Sequence, residues 1–533
     1  MQVAQVFPIP ILNLLARRAL VPFLNILLGD LKSIADDGTP LPNLNNVQGD
    51  PIFMFPKRWE QFMFFKITDV AQFRKALSVY APMITSAART ALNIGMIDKS
   101  VVDLDIVSYG FAITKSGLKA MGISEQLKEP HFDQGSLVNE KTQLGDMREY
   151  DPVFNGNGVN DGVILVTAGT EATCKKAMDG IQAIFKNSVT VLCTYGGHAR
   201  AGAAEHFGFR DGISQPALKG IVQPRSGQRV VNPGVVVLGY PGDPVYDKKS
   251  TRPAFTKEGS FMVFRKLEQN VLFLEDYTNQ NWSSVPADVP GGKPLDEDER
   301  KKLFEARLLG RFKSGVPLAL SPYREDTKYL QPDYINNFDY TEPNGGCPFS
   351  AHVRKTAPRQ LQPIVSKEYL DASVIVRAGI PYGDEISDKE REDWAKLSPA
   401  EKENAKSPRG LFFVCYQSSI DNGFFRQQVG FANNDYFPIT GLVPQKIGQD
   451  PILGGPKPVT GIQGEVDISQ DGEVTMQVIN KQGEQYEVDG FAKKIDPSVV
   501  SHEQKFFVTS RGGEYYFVPS ISTVKSWGTS TWL

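Results

Sequence analysis

Histidine and cysteine are scarce in this chain, with five and four residues among 533. The histidines, His131, His198, His206, His352 and His502, lie far apart, so a multi-histidine metal centre has no sequence support, and no zinc site is visible. Cys174, Cys193, Cys347 and Cys415 form no CxxC pair, and four thiols in so long a chain do not make a disulfide scaffold. Cys415, inside Leu411-Phe-Phe-Val-Cys-Tyr416, reads as a buried strand thiol, because free cysteine packs like a small hydrophobe. An excess of one charge is also missing. The 58 Lys and Arg against 61 Asp and Glu leave a net charge of −3, which argues against a nucleic-acid backbone binder. No uninterrupted apolar run of about 18 residues occurs, so no membrane-spanning helix is expected.

What is present points to a large folded body. Hydrophobic residues make up 41% and aromatics 10%, enough for a sizeable core. The 48 Gly and 36 Pro predict many turns and long loops. The length implies two domains or one large two-part domain. Residues 1–44 read as an N-terminal extension. Its apolar part, Phe7 to Leu28, is interrupted by Pro8, Pro10 and Pro22 and carries Arg17-Arg18 in the middle, the inverse of a secretory signal. An amphipathic segment packed on the body is the expectation. A cytoplasmic location follows, with secretion as the alternative, to which the lone sequon Asn281-Trp-Ser283 adds little. Residues 29–51 are linker-like in composition.

Periodicity then yields an order of elements. Gln61 to Ile67 reads as strand, Val70 to Ser86 as helix, Asp103 to Phe111 as strand and Ser116 to Met121 as a short helix. Val163 to Thr167 is strand, Glu171 to Phe185 helix, and Ser188 to Cys193 strand. This is the β-α-β, β-α-β pattern of a ferredoxin-like unit. In the second half, Gly259 to Phe264, Val271 to Leu274 and Gly410 to Tyr416 read as strands and Asp296 to Arg311 as a helix with early acidic residues. Long insertions are expected at 227–258, 276–300 and 384–409, the last densely charged and solvated. The fold class is therefore α+β, with two ferredoxin-like halves over 45–220 and 221–533.

Three segments could carry chemistry. In His206-Phe-Gly-Phe-Arg-Asp-Gly-Ile-Ser-Gln-Pro216, Asp211-Gly212 is by itself a turn dipeptide; the alternative is a carboxylate held beside a cavity, with Gly208 and Gly212 permitting close approach of a bulky ligand. In Cys347-Pro-Phe-Ser-Ala-His-Val-Arg-Lys-Thr356, His352 is either a structural residue or a lone axial ligand, with Arg354 and Lys355 as cations for haem propionates. In Val374-Ile-Val-Arg-Ala-Gly-Ile-Pro-Tyr-Gly383, Arg377 is an exposed strand-end residue or projects into a pocket.

Taken together, Gly208-Phe-Arg-Asp-Gly212, then His352, then Arg377 resemble the dye-decolourising peroxidase family. Asn45-Asn-Val-Gln-Gly-Asp50, Gly410 to Ile420, Gly448 to Gly454 and Ser510 to Pro519 extend the resemblance over roughly residues 45 to 525, in the larger form of fungal members. The resemblance implies a dimeric α+β barrel type fold with haem b, one per chain, between β-sheet and helices. His352 would be the proximal iron ligand and Asp450 the carboxylate accepting its other N–H. Asp211 would take a proton from hydrogen peroxide and return it to the departing oxygen, and Arg377 would stabilise the charge that develops. Arg354 and Arg359 would flank the haem. Leu411 and Phe413 would wall the distal side so that peroxide enters and dye does not. Tyr382 matches a tyrosine of fungal relatives and would relay electrons from a bulky aromatic reductant; packing is the other reading. Phe431 stands where those relatives often carry Trp, which puts a tryptophan route in doubt. The acids Asp384, Glu385, Asp388 and Glu390 could hold manganese, but a charged insertion is more often a solvated face.

The activity implied is a haem peroxidase oxidising dyes, phenolics or similar aromatics. A haem carrier without turnover is the rival; it needs neither Asp211 nor Arg377. A ferredoxin-like scaffold without haem is disfavoured by His352 together with Asp450 and the flanking Arg354 and Arg359. Oligomeric state is left open, a homo-oligomer included.

Overall fold

The computed structural model describes residues 35–98, 105–146, 149–156, 160–290, 292–340, 347–439, 447–454, 476–479, 485–488 and 507–529. The segment Phe7 to Leu28 and His502 lie outside them. In the first half, β1 (Trp59–Ile67), α1 (Val70–Tyr80), β2 (Ser108–Ile113), β3 (Gly162–Ala168), α2 (Glu171–Phe185) and β4 (Val189–His198) come in the predicted order, but α1 ends short of Ser86 and a further helix, Ala87–Asp98, which periodicity does not mark, stands between α1 and β2. α2 begins where Thr170 Oγ1 accepts the Thr173 N–H at 3.2 Å, and it buries Cys174, Met178, Ile181 and Phe185 at helical spacing. β3 is buried along its whole length, as its unbroken apolar run requires.

The second half repeats the plan with β5 (Ser260–Gln269), α3 (Val271–Asn281), α4 (Glu297–Leu309), the five-residue α5 (His352–Thr356), β6 (Val376–Arg377), β7 (Ile380–Tyr382), β8 (Gly410–Gln417), the π-helical α6 (Asp421–Ala432) and β9 (Val508–Val518). Val271-Leu-Phe-Leu274 is thus not a strand but the first turn of α3. Asn270 caps that turn by accepting the Phe273 N–H at 3.2 Å, and a four-residue apolar run carries too little period to separate helix from strand. α4 starts with a reciprocal cap between Asp296 and Glu299.

All the main strands join one antiparallel sheet in the order β4-β1-β3-β2-β9-β5-β8-β6, with β7 also paired to β8. Each half contributes the same internal order, and the halves meet where β2 pairs with β9 at Ile113 and Phe517. The sheet curls until distant strands touch: Phe62 of β1 lies 5.6 Å from Phe412 of β8, Phe64 5.0 Å from Phe264, and Tyr195 stacks on Phe412 at 5.4 Å. Each such pair adds roughly 0.5–1.5 kcal/mol beyond burial. Gly197 of β4 comes so close to β7 that a Cβ there would sit 2.7 Å from the Pro381 carbonyl oxygen. No ladder between β4 and β7 closes the barrel among the described residues.

Two expectations about loops are corrected. From residue 35 onward the linker-like stretch is packed: Leu44, Val47 and Asp50 are buried, and Asp50 accepts the Tyr416 hydroxyl at 2.6 Å. Within 227–258, Val236, Val237 and Leu238 are fully buried, so this insertion contributes to the core. The charged insertion at 384–409 forms helices Asp388–Lys396 and Pro399–Asn404, anchored by buried Trp394, whose indole N–H donates to Asp276 at 2.8 Å.

Strand alternation positions the site. On β8, Phe412 and Val414 enter the barrel core while Leu411 and Phe413 face outward, and Arg265 and Leu267 of β5 share that outer face through the pairs Phe413 to Arg265 and Leu411 to Leu267. α5 and α6 cover this face, and a cavity of about 640 Å³ opens between.

Candidate active site

His352 opens α5 and lines the cavity. Its Nδ1 lies 2.7 Å from Asp450 Oδ2. Because an ionised carboxylate only accepts, Nδ1 carries the proton and Nε2 is left as the donor atom for a metal. Asp450 is itself fixed: its Oδ1 accepts the N–H groups of Ile452 at 2.8 Å and Leu453 at 3.0 Å, in a fully buried turn. Such a backing carboxylate orients a histidine ligand and raises its basicity.

Asp211 and Arg377 also line the cavity. The Arg377 Nη1 donates to Asp211 Oδ1 at 2.6 Å, and its Nη2 to the Ser214 carbonyl at 3.1 Å. The side chains are 39% and 31% exposed, and that exposure is onto the cavity they line. Burial acts to raise the Asp211 carboxyl, but the Arg377 charge and the Gly212 N–H bond outweigh it and hold the group below the ordinary carboxylate range. Gly212, at φ +75°, takes the left-handed step by which the chain turns away just after giving its N–H to the carboxylate.

Two residues that the sequence did not single out set this geometry. The Gln215 amide clasps the Arg377 backbone, accepting its N–H at 3.0 Å and donating to its carbonyl at 2.7 Å. Glu205 is half-buried and accepts the N–H groups of Phe207 and Phe209 at 2.8 Å each, shaping the loop that leads to Asp211; desolvation raises its carboxyl to about 6. His206 ties the same loop to β7 through a 2.8 Å bond from Nε2 to the Tyr382 carbonyl. Burial, with Arg200 adding to it, lowers this imidazole to about 4, so it stays neutral and donates.

The cationic wall differs from expectation. Arg354 is buried away from the cavity, donating to the Cys347 carbonyl at 2.6 Å and the Tyr340 carbonyl at 3.3 Å, with Phe349 beneath its guanidinium. Lys355 donates to the carbonyls of Phe431, Asn434 and Phe437. Both side chains anchor backbone instead of facing a cofactor. Arg359 does line the cavity, and Arg311, Arg229 and Arg210 join it. Among the described residues, seven cations and three acids, Glu205, Asp211 and Asp371, line the cavity, and one of the seven, Arg265, is paired with Asp146 outside the lining. Burial, with Arg359 adding to it, lowers Arg311 to about 10. The Nε atoms of Arg210 and Arg359 are buried without a hydrogen-bond partner. Nothing in the sequence around Arg311 or Arg229 marked them; only the turn of the chain brings them here. A crowded, under-neutralised guanidinium wall opposite an oriented histidine fits an anionic iron cofactor such as haem.

Leu411 and Phe413 line the cavity as expected. Tyr382 does not; it is 8% exposed on the core side of the sheet, stacked on Phe412 at 4.4 Å. Phe431 is buried face to face with Phe437 at 3.8 Å. Of the insertion acids, Glu385 pairs with Arg200, and Glu390 with Arg409 and the cap at Ser387. No cluster of three or more potential metal ligands of the His, Cys, Asp or Glu type exists among the described residues, so nothing there gathers these acids around manganese. No helix among the described residues is long and apolar enough to cross a membrane.

The fold thus gathers a carboxylate-backed histidine and a carboxylate–guanidinium pair on one cavity. Residues 46–201 match the sequence profile of the DyP dimeric alpha+beta barrel domain. The chain is 33% identical to dye-decolorizing peroxidase msp1 of Mycetinis scorodonius over 499 residues, covering 91% of this chain and 87% of that protein. It is 32% identical to dye-decolorizing peroxidase AauDyP1 of Auricularia auricula-judae, covering 90% and 86%. An ancestral D-type dye-decolorizing peroxidase superposes with a TM-score of 0.77 at 35% identity over 92% of this chain and all of the other. A dye-decolorizing peroxidase in complex with 2,6-dimethoxyphenol superposes with a TM-score of 0.74 at 33% identity and the same coverage. The chain belongs to the dye-decolourising peroxidase family and is a haem peroxidase.

Proposed function

We propose that the cavity holds one haem b per chain and that the protein reduces hydrogen peroxide there while oxidising dyes, phenolics and related aromatics in one-electron steps. The observation that carries this is the presence, in one cavity, of the Asp450-backed His352 and the Asp211–Arg377 pair. His352 Nε2 is the iron ligand in this reading, with Arg311, Arg359 and Arg229 serving the propionates. Haem held there would supply the two-electron redox chemistry that peroxide reduction requires. Asp211 takes the proton from the near oxygen of peroxide and returns it to the far oxygen, which leaves as water. Arg377 opposes the negative charge that builds on the departing oxygen and keeps Asp211 ionised between turnovers. Leu411 and Phe413 exclude bulk water and large molecules from the space beside the carboxylate. A haem carrier has no use for the Asp211–Arg377 pair. We also propose a division into halves near residue 220, with residues 1–44 as an extension.

The visible spectrum of the haem-loaded protein, before and after one equivalent of peroxide, tests the assignment. Rapid conversion of the ferric band to an oxidised species is expected; slow bleaching alone would favour the carrier.

Tyr382 is proposed as an interior station for electrons from bulky donors. Its stack on Phe412, continued by Tyr195, links three rings across the barrel core. Tyr382→Phe is expected to lower the turnover of bulky dyes while sparing small phenols, measured side by side. Equal rates on both would place the route elsewhere.

A further inference from the structure

The register of β9 puts a second tyrosine on the cavity face of the sheet. Tyr515 pairs with Val263, two residues along β5 from Arg265, which lines the cavity. Its ring is 6.4 Å from that of Phe424, another lining residue. The phenol is fully buried, and its hydroxyl donates to Glu140 Oε2 at 2.6 Å. The other oxygen of Glu140 lies 2.5 Å from His131 Nδ1, and His131 Nε2 lies 3.3 Å from Asp421 Oδ1. Side-chain exposure runs from 5% at Glu140 and 9% at His131 to 59% at Asp421. A continuous hydrogen-bonded line therefore joins a buried phenol beside the cavity to water. The activity described above uses no member of it.

We propose that Tyr515 is an internal one-electron donor to the cavity, with Glu140, His131 and Asp421 as its proton outlet. The proposal rests on the peroxidase reading, which supplies the oxidant: one of the two equivalents left in the cavity by peroxide. Tyr515 gives up one electron toward the cavity and its hydroxyl proton to Glu140, becoming a neutral radical. Charge then balances when His131 passes its Nε2 proton through Asp421 to water. Re-reduction from an outside donor reverses both transfers. The protonation states suit this. Burial acts to lower His131, but its bonds to Asp421 and Glu140 raise it to about 9, so the ring carries both protons at neutral pH. Burial, then Glu140, raises the Tyr515 phenol, so its proton is present until the electron leaves. Glu129 accepts the Asp421 N–H, and Glu514 is fixed by Ser136 and Leu137, so neither interrupts the line. Tyr515 thereby receives an oxidising equivalent when external reductant is scarce, sparing the cavity lining.

The test is freeze-quench electron paramagnetic resonance on the haem-loaded full chain mixed with one equivalent of peroxide and no reductant, with absorption recorded on the same samples. A tyrosyl signal is expected in the unaltered protein and its loss in Tyr515→Phe. In Asp421→Asn, changed only at the exposed end, the signal is expected to form more slowly than in the unaltered protein; this variant carries the test if Tyr515→Phe does not fold. If peroxide fails to change the haem spectrum at all, the peroxidase reading itself falls. If the haem is oxidised but no tyrosyl signal forms, or the signal persists in Tyr515→Phe or forms at the same rate in Asp421→Asn, this proposal alone is overturned.

Discussion

Arg377→Leu is expected to leave haem bound and to slow the bimolecular reaction with peroxide by about 10²–10³-fold, the loss seen when one preorganised charge-stabilising donor is removed. Two effects add. The guanidinium no longer meets the charge that develops as the O–O bond breaks, and the Asp211 base changes its protonation. In the intact site, burial works to raise Asp211 and Arg377 with Gly212 pulls it below the ordinary range. A base with a lowered pKa stays ionised as the medium becomes acidic, so the rate falls only below about pH 4, the usual carboxylate value. Without Arg377, burial loses its largest opponent and only lesser ones such as the Gly212 N–H remain, so the acid limb moves up in pH. Stopped-flow rates across pH check both statements. A variant with an unchanged rate would remove Arg377 from the mechanism, and a lowered rate with an unmoved limb would separate charge stabilisation from its hold on Asp211.

His352→Ala is expected to abolish the ferric haem band after reconstitution, because no other described histidine lines the cavity to supply a ligand nitrogen. Asp450→Asn is the informative companion. Its one oxygen can stay on the N–H groups of Ile452 and Leu453 and hold the turn, but the oxygen facing His352 Nδ1 becomes an NH2 that cannot accept, and the charge behind the ring is removed. Loss of such a backing carboxylate lowers metal affinity or activity by roughly 10–100-fold. The variant is therefore expected to bind haem more weakly and to fold normally. Haem titration with a thermal melt of each apoprotein measures the two separately. Full haem retention in His352→Ala would move the ligand role to another residue.

Local pattern made much of this protein legible. The helix over Glu171–Phe185 was readable because its apolar residues recur at intervals of three and four, and β3 because its apolar run is unbroken. The short motifs around Asp211, His352 and Arg377 were readable because tight turns and a lone basic group leave marks in neighbouring residues. Val271-Leu-Phe-Leu274 was misread because four apolar residues satisfy both periods, and an Asn cap decided the matter.

Of the cationic wall, Arg359 alone was legible. Arg354 stood beside His352 in sequence, yet a helix of five residues sends adjacent side chains in different directions, and Arg354 turned inward onto carbonyl oxygens. Arg311 and Arg229 come from distant segments to line the same cavity. The amino-acid sequence by itself determined the element order, the repeated α+β plan and the residue types available for haem chemistry, because those follow from local periodicity and turn chemistry. Only the tertiary structure decided which arginines line the cavity, which tyrosine lies on the cavity side of the sheet and which lies in the core, because strand register and side-chain burial are set by contacts between residues hundreds of positions apart.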